Sequence, residues 1–326
     1  MKGLISIMPN EKVYTPEEVA NILKISRFTV YQMIKRGDMP SCQVGRRIRI
    51  EASDLERYIQ SVKNDTPALI QNSSPIVRNT ADIASWSTIG SKDGLIICGQ
   101  DVVLDVLTKH LERQLPQLRF LRQYLGSIPA LFGLYQGTAN LATAHLWDGD
   151  TGEYNISYVR KILPGQRLLI YNLVYRMEGF YVANGNPKSI QAWTDLAKPG
   201  IRIINRECGA GARVLLDEQL RKLNIASDRI IGYDNEEPSH LSVASCVARG
   251  EADVGIGIEK AALQVPKIDF IPLQKERYDL IFRKSDLNLL QFQQLLLILN
   301  SASFKNEISG MGGYDVSQMG QLMGEI

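Results

Sequence analysis

The sequence predicts an α/β chain with a small basic helical head and a larger body. Three observations carry this. The chain has 326 residues, 44% hydrophobic and 22% charged, which is globular composition and length enough for two or three domains. Charge is unevenly placed: residues 1–63 hold 11 Lys/Arg against 7 Asp/Glu, and the rest hold 26 against 28. From residue 93 onward, short apolar runs alternate with helix-periodic segments, the pattern of sheets covered by helices. A basic head on a mildly acidic body suits nucleic-acid binding by the head.

Composition also excludes some classes. Cys42, Cys98, Cys208 and Cys246 are scattered with no C-x-x-C pair, which argues against a zinc site or a disulfide framework and for a reducing compartment. The first residues lack the apolar core of a signal peptide, and no run approaches a membrane-spanning length. The expected location is the cytoplasm, with no membrane partner.

The head occupies residues 1–62. Thr15, Pro16 and Glu18 predict a helix start: Thr15 as N-cap, Pro16 at N1, Glu18 closing a capping box. Val19, Ala20, Ile22 and Leu23 then form an apolar stripe. After a short connection, Ser26 can cap a second helix over residues 26–37, with Val30, Met33 and Ile34 inward. It ends at Gly37 after Lys35 and Arg36. Two short helices joined by a tight turn are a helix-turn-helix. Residues 41–50, folded about Gly45-Arg46-Arg47, predict a hairpin wing, and residues 51–59 a last helix with Leu55, Tyr58 and Ile59 inward. Arg27, Thr29 and Gln32 suit base edges; Lys35, Arg36, Arg46, Arg47 and Arg49 supply phosphate attraction.

The run from Thr15 to Ile59, with its G-R-R-x-R-I wing and D-L-E-x-Y-I helix, resembles the excisionase-like winged helix-turn-helix domain, related to the MerR group. The resemblance implies a second helix in the major groove of double-stranded DNA, and a wing on the backbone or minor groove.

Residues 63–92 are rich in Asn, Ser, Thr and Pro and predict a linker, with a helix over 80–88. In the body, 95–98, 119–124, 140–146, 201–205, 252–258, 270–273 and 278–282 predict strands. Residues 102–115, 128–135, 214–223, 239–249 and 287–299 predict helices, and 310–324 a helix with a frayed end. The junction Asn205-Arg206-Glu207-Cys208-Gly209-Ala210-Gly211-Ala212-Arg213 is an anion cradle by composition: two glycines for close approach, backbone N–H groups and two arginines. It is neither a P-loop nor a dinucleotide fingerprint. His145 with Asp148 and Asp150 lacks a fourth ligand, so no metal site is expected. His240, Ser245 and Asp253 lack a nucleophile elbow, so no enzyme is expected.

Four segments (residues 145–155, 205–217, 240–262 and 270–282) resemble the type II periplasmic-binding-protein-like domain found with helix-turn-helix heads or molybdopterin-biosynthesis proteins. They are similar more distantly to molybdate- and tungstate-binding proteins and LysR effector domains. The resemblance implies two α/β lobes over residues 93–326, with crossings near 168–181 and 271–282. It implies a cleft made by Gln100, Asp101, Gly126, Ser127, Arg206, Gly209, Ala210, Gly211, Arg213, Ser239, His240 and Tyr278. No cofactor is required; the implied effector is a small anion such as molybdate or tungstate, or a molybdenum-cofactor-related ligand. Relatives carry Gly-Ser-Gly-Thr-Arg in the cradle, whereas Ala210 and Ala212 replace both hydroxyl donors here. The expectation is a homodimeric transcriptional regulator; the alternative is a ligand-binding or cofactor-delivery protein whose head binds protein.

Overall fold

The structure is a computed structural model that describes residues 13–23, 30, 33, 34, 39–44, 47–55, 57, 58 and 94–326. Most of the second head helix, the wing turn and the linker lie outside the described residues. The chain divides into two compact units, residues 1–78 and 79–326.

In the head, β1 (Val13–Tyr14) leads into α1 (Pro16–Leu23). The Thr15 hydroxyl accepts from the Glu18 N–H at 3.2 Å, and the Glu18 carboxylate accepts from the Thr15 N–H at 2.7 Å. The capping box is formed, satisfying one orphan donor at each end of the pair. The wing strands β2 (Cys42–Val44) and β3 (Arg47–Glu51) pair antiparallel, and β1 adds to β3, a third strand the sequence did not reveal. Val19, Ala20, Val30, Met33, Met39, Ile50 and Leu55 form the core. Ile22, expected in the apolar stripe, is 47% exposed: at the end of an eight-residue helix it falls outside the buried arc.

The body starts with β4 (Gly94–Cys98), α2 (Val102–Gln114), β5 (Arg119–Gln123), α3 (Ser127–Gln136), β6 (Leu141–Ala144) and α4 (Ile156–Ile162). β4 lies between β5 and β6, all parallel. The long strand β7 (Leu168–Ala183) follows, then β8 (Ile203–Arg206), α5 (Gly211–Lys222), β9 (Glu236–Glu237), α6 (His240–Ala248), β10 (Val254–Ile258) and α7 (Glu259–Ala262). β8 is parallel to β9 and β10. A second long strand, β11 (Ile268–Arg283), is antiparallel to β7 along its length.

Strand order is β5-β4-β6-β11-β7-β10-β8-β9, so two parallel α/β halves flank a central antiparallel ribbon. Each half buries its own apolar clusters. One, around Leu104, Leu107 and Phe282, lies in the first half; another, around Phe180, Leu216 and Ile256, lies in the second.

Three expectations are corrected. Residues 270–273 and 278–282 are one strand; its register shifts between Pro272 and Gln274, because proline has no N–H for the ladder. The cradle helix begins at Gly211 rather than residue 214, so the second glycine and Ala212 are first-turn residues. After α8 (Leu290–Asn300) and α9 (Ala302–Gly310), residues 310–324 form no further helix; β12 (Tyr314–Asp315) and β13 (Leu322–Glu325) pair with β7. Their glycines at positive φ (Gly312, Gly313, Gly320) are incompatible with continued helix.

Candidate functional site

The strand-to-helix junctions of the two halves face one another. The N-terminus of α3 meets the cradle directly: the Ile128 N–H donates to the Gly209 carbonyl at 3.0 Å. A Cβ on Gly126 would lie 3.0 Å from the Ala210 Cα, and one on Gly211 would lie 2.5 Å from the His145 ring. A side chain at Gly211 would overlap the His145 ring, while one at Gly126 would require its neighbour to give by a few tenths of an ångström. Gln100, Gly126, Ser127, Arg206, Ala210, Gly211, His240 and Tyr278, all expected at the cleft, surround one narrow space of about 10 Å³, room for about one water. Asp101 and Ser239 line a neighbouring cavity of about 580 Å³ that shares Gln100 and His240 with it.

The N-terminal turns of α3, α5 and α6 end at this space, but their N–H groups are only partly available: in α3 Ile128 donates to Gly209 and Pro129 has no N–H, and in α6 Ser239 caps Ser242. The arginines are less available than the sequence suggested. Arg206 is buried and bound to the Glu207 carboxylate at 2.8 Å and to the Gln100 side-chain oxygen at 2.6 Å. Arg213 does not reach the cleft. It bonds the Arg206 carbonyl and Glu236 and packs 4.1 Å over the Tyr233 ring. The Ser239 hydroxyl accepts from the Ser242 N–H as a cap. Ser127 Oγ accepts from the His145 N–H at 3.3 Å, leaving its own proton free to donate.

Sequence reasoning missed the buried charged group at the base of the cleft. Arg176 and Glu178 on β7 and Glu276 on β11 are at most 2% exposed. Arg176 pairs with both Glu276 and Asp101 and lies 4.1 Å over the Tyr278 ring. His145 Nδ1 is 2.6 Å from Glu276. Tyr278 shares a 2.7 Å hydrogen bond with Thr143. Burial pushes the Glu178 carboxyl well up, and the neighbouring Glu276 reinforces this. Burial is the largest single influence on Glu276 and pushes it up, but Arg176, His145 and the hydrogen bonds from Glu178 and His145 together hold it well below the usual carboxylate range. Burial lowers both His145 and His240, assisted at His240 by Arg206 and Arg176, so both imidazoles are neutral at pH 7. The available signal was charged residues inside strand-like runs, Arg176 and Glu178 two apart on one and Glu276 on the other. Asp148 and Asp150 do not join His145: Asp148 accepts from the loop N–H groups of Asp150 and Thr151, and Asp150 pairs with Arg221.

For DNA, Ser26, Arg27, Thr29, Gln32, Lys35, Arg36 and Arg46 lie outside the described residues. Arg47 and Arg49 are on the wing strand β3, where Arg49 is half-buried and pairs across to Cys42.

Comparison with known proteins places both parts. Residues 13–63 match a helix-turn-helix domain, and residues 108–300 match the PBP superfamily domain. The uncharacterized protein YvgK of Bacillus subtilis (strain 168) is 40% identical over 310 residues, 95% of this chain and 97% of the relative. A protein encoded in the 5′ region of a 2Fe-2S ferredoxin gene of Clostridium pasteurianum is 54% identical over 113 residues, which is all of that protein and 35% of this chain. The body shares the fold of EhuB, solved in complex with hydroxyectoine, at a TM-score of 0.50 and 15% identity, covering 73% of this chain and 94% of that one.

Proposed function

The chain belongs to the PBP superfamily and carries an excisionase-type helix-turn-helix domain, and on that premise we propose a cytoplasmic transcriptional regulator that binds operator DNA through its head and senses a small anion in its cleft. The observation that carries the sensing half is the closed junction, where Ile128 meets Gly209 and Gly211 abuts His145. A ligand that favours the open or the closed arrangement shifts the balance between them by its differential affinity. In a dimer, that shift would change the fit of paired heads to their half-sites.

Three helix N-termini and the Ser127 hydroxyl support an anion of the molybdate or tungstate type, since aligned N–H groups bind a dianion without a full countercharge. Arg206 and Arg213 take little part in this reading, being engaged by Glu207 and Glu236. The narrow space is too small for a tetrahedral oxyanion, so binding requires the halves to part. Thermal unfolding with molybdate, tungstate, sulfate, phosphate and molybdopterin compounds tests this. Ligand at about 100 times its Kd adds about 2.7 kcal/mol, so the effector raises the Tm. If none of these compounds shifts the Tm, the anion reading is wrong. Stabilisation by apolar organic compounds alone would favour the 580 Å³ cavity. The regulator reading fails if light scattering shows a monomer with and without DNA and no gel shift occurs at low salt; that outcome favours a ligand-binding or cofactor-delivery role.

A further inference from the structure

We propose that His145, Glu178 and Glu276 form a binding site for a divalent first-row transition cation at the base of the cleft, independent of the anion reading. One donor atom from each lies within 4.8 Å of the others, and all three residues are buried. A cation with bonds of about 2.1 Å needs donors about 3 to 4 Å apart, so only a small contraction is needed. One imidazole and two carboxylates are a borderline set, suited to zinc, manganese, iron or cobalt.

Two further observations point to a ligand. Glu178 Oε1 is buried without a hydrogen-bond partner, although it belongs to a residue 1% exposed. An orphaned buried acceptor costs roughly 1–3 kcal/mol, and a bound cation would satisfy it. His240 Nδ1 is likewise buried and unpartnered; its ring lies 6.3 Å from that of His145 and borders the same narrow space. It is a candidate for a fourth donor.

Charge agrees with this assignment. Asp101 and Glu276 are two buried carboxylates facing one buried arginine, Arg176, and Glu178 adds a third negative charge once a cation displaces its proton, while Arg206 is matched by Glu207. A dication fills that deficit. It also places positive charge at the cleft that the cradle arginines do not present. The site lies on β7 and β11, the two strands that run through both halves, and on the residue after β6. It therefore joins the central ribbon to the closing surface at Gly211.

The test uses the full chain, stripped with chelator and dialysed. Zn²⁺ is titrated by calorimetry and Co²⁺ by visible absorption. One equivalent should bind, with cobalt bands showing nitrogen–oxygen coordination. Glu178→Gln keeps the shape and neutrality of a protonated Glu178, so it should fold as the parent does by circular dichroism. It should lose at least about 100-fold in Zn²⁺ affinity, since loss of even an outer-shell partner costs 10–100-fold. If Glu178→Gln does not fold, His145→Asn is read the same way. No binding at tens of micromolar Zn²⁺, or unchanged affinity in the variant, overturns the site. Either outcome leaves the anion screen and the gel shift unaffected.

Discussion

Gly211→Ala is the sharpest probe of the closed cleft. The added Cβ would stand 2.5 Å from the His145 Cε1 and Nδ1 atoms, about 1 Å inside ordinary contact. His145 cannot swing aside freely, because its Nδ1 is held 2.6 Å from Glu276 and its ring stands edge-on to Tyr278 at 5.5 Å. Gly211 opens α5, so its backbone is tied to that helix. Overpacking of this kind costs about 1–3 kcal/mol. The clash exists only when the halves meet, so the cost falls on the closed state and moves the equilibrium toward open by about 5- to 150-fold. The reporter is the Ile128 amide, which bonds Gly209 across the junction. Its hydrogen exchange should quicken by that factor in Gly211→Ala, while core amides of α2 stay as protected as before. Any ligand requiring closure should bind more weakly by the same factor. Parental protection at Ile128 in a folded variant would refute the argument that Gly211 is small so that the cleft can close.

Other expectations follow from the same reasoning. Replacing Arg46 and Arg47 together with Ala should weaken binding to all DNA sequences alike and lower the salt slope of log K by about 2; an unchanged slope removes the wing from the interface. Thr15→Ala should cost the head about 1 kcal/mol through loss of its cap, read as an earlier unfolding transition of the head. Asp195 accepts from the N–H groups of Gln191 and Ala192 and pairs with Lys198; Lys198, followed by those N–H groups, holds its carboxyl down to about 2. A depressed carboxylate stabilises above its unfolded pKa of about 4 and loses that contribution as pH falls toward 2. Asp195→Ala should therefore cost about 1 kcal/mol at pH 7, with the difference from the parent closing between pH 4 and 2; a constant difference would assign the loss to packing.

How much was legible differs between the two units. In the head the signals are local: Thr15 with Glu18 span one turn, and the wing arginines flank a single hairpin. The body's junctions were also readable, because Gly126-Ser127, Gly209 to Gly211 and Ser239-His240 are glycines and capping residues that immediately precede helix-periodic segments. The reading failed where an element is defined by distant partners. β11 looked like two strands because the polar run 274–277 interrupts its apolar pattern, and pairing with β7 along its whole length keeps it continuous. The tail after residue 310 was read as a helix with a frayed end, and it became strand by pairing with β7.

The sequence by itself determined the α/β class of the body and the helix-turn-helix of the head, since both follow from periodicity, capping residues and glycine placement within a few positions, and its resemblance to the binding-protein family implied the loops that meet at a cleft. Only the tertiary structure decided the charges of that cleft. It turned Arg213 onto Tyr233, occupied Arg206 with Glu207, and brought Glu276 to His145 from 131 positions away. The physical reason is that a buried charge is fixed by whichever counter-charge or hydrogen bond the fold delivers to it, and chain spacing does not record that partner.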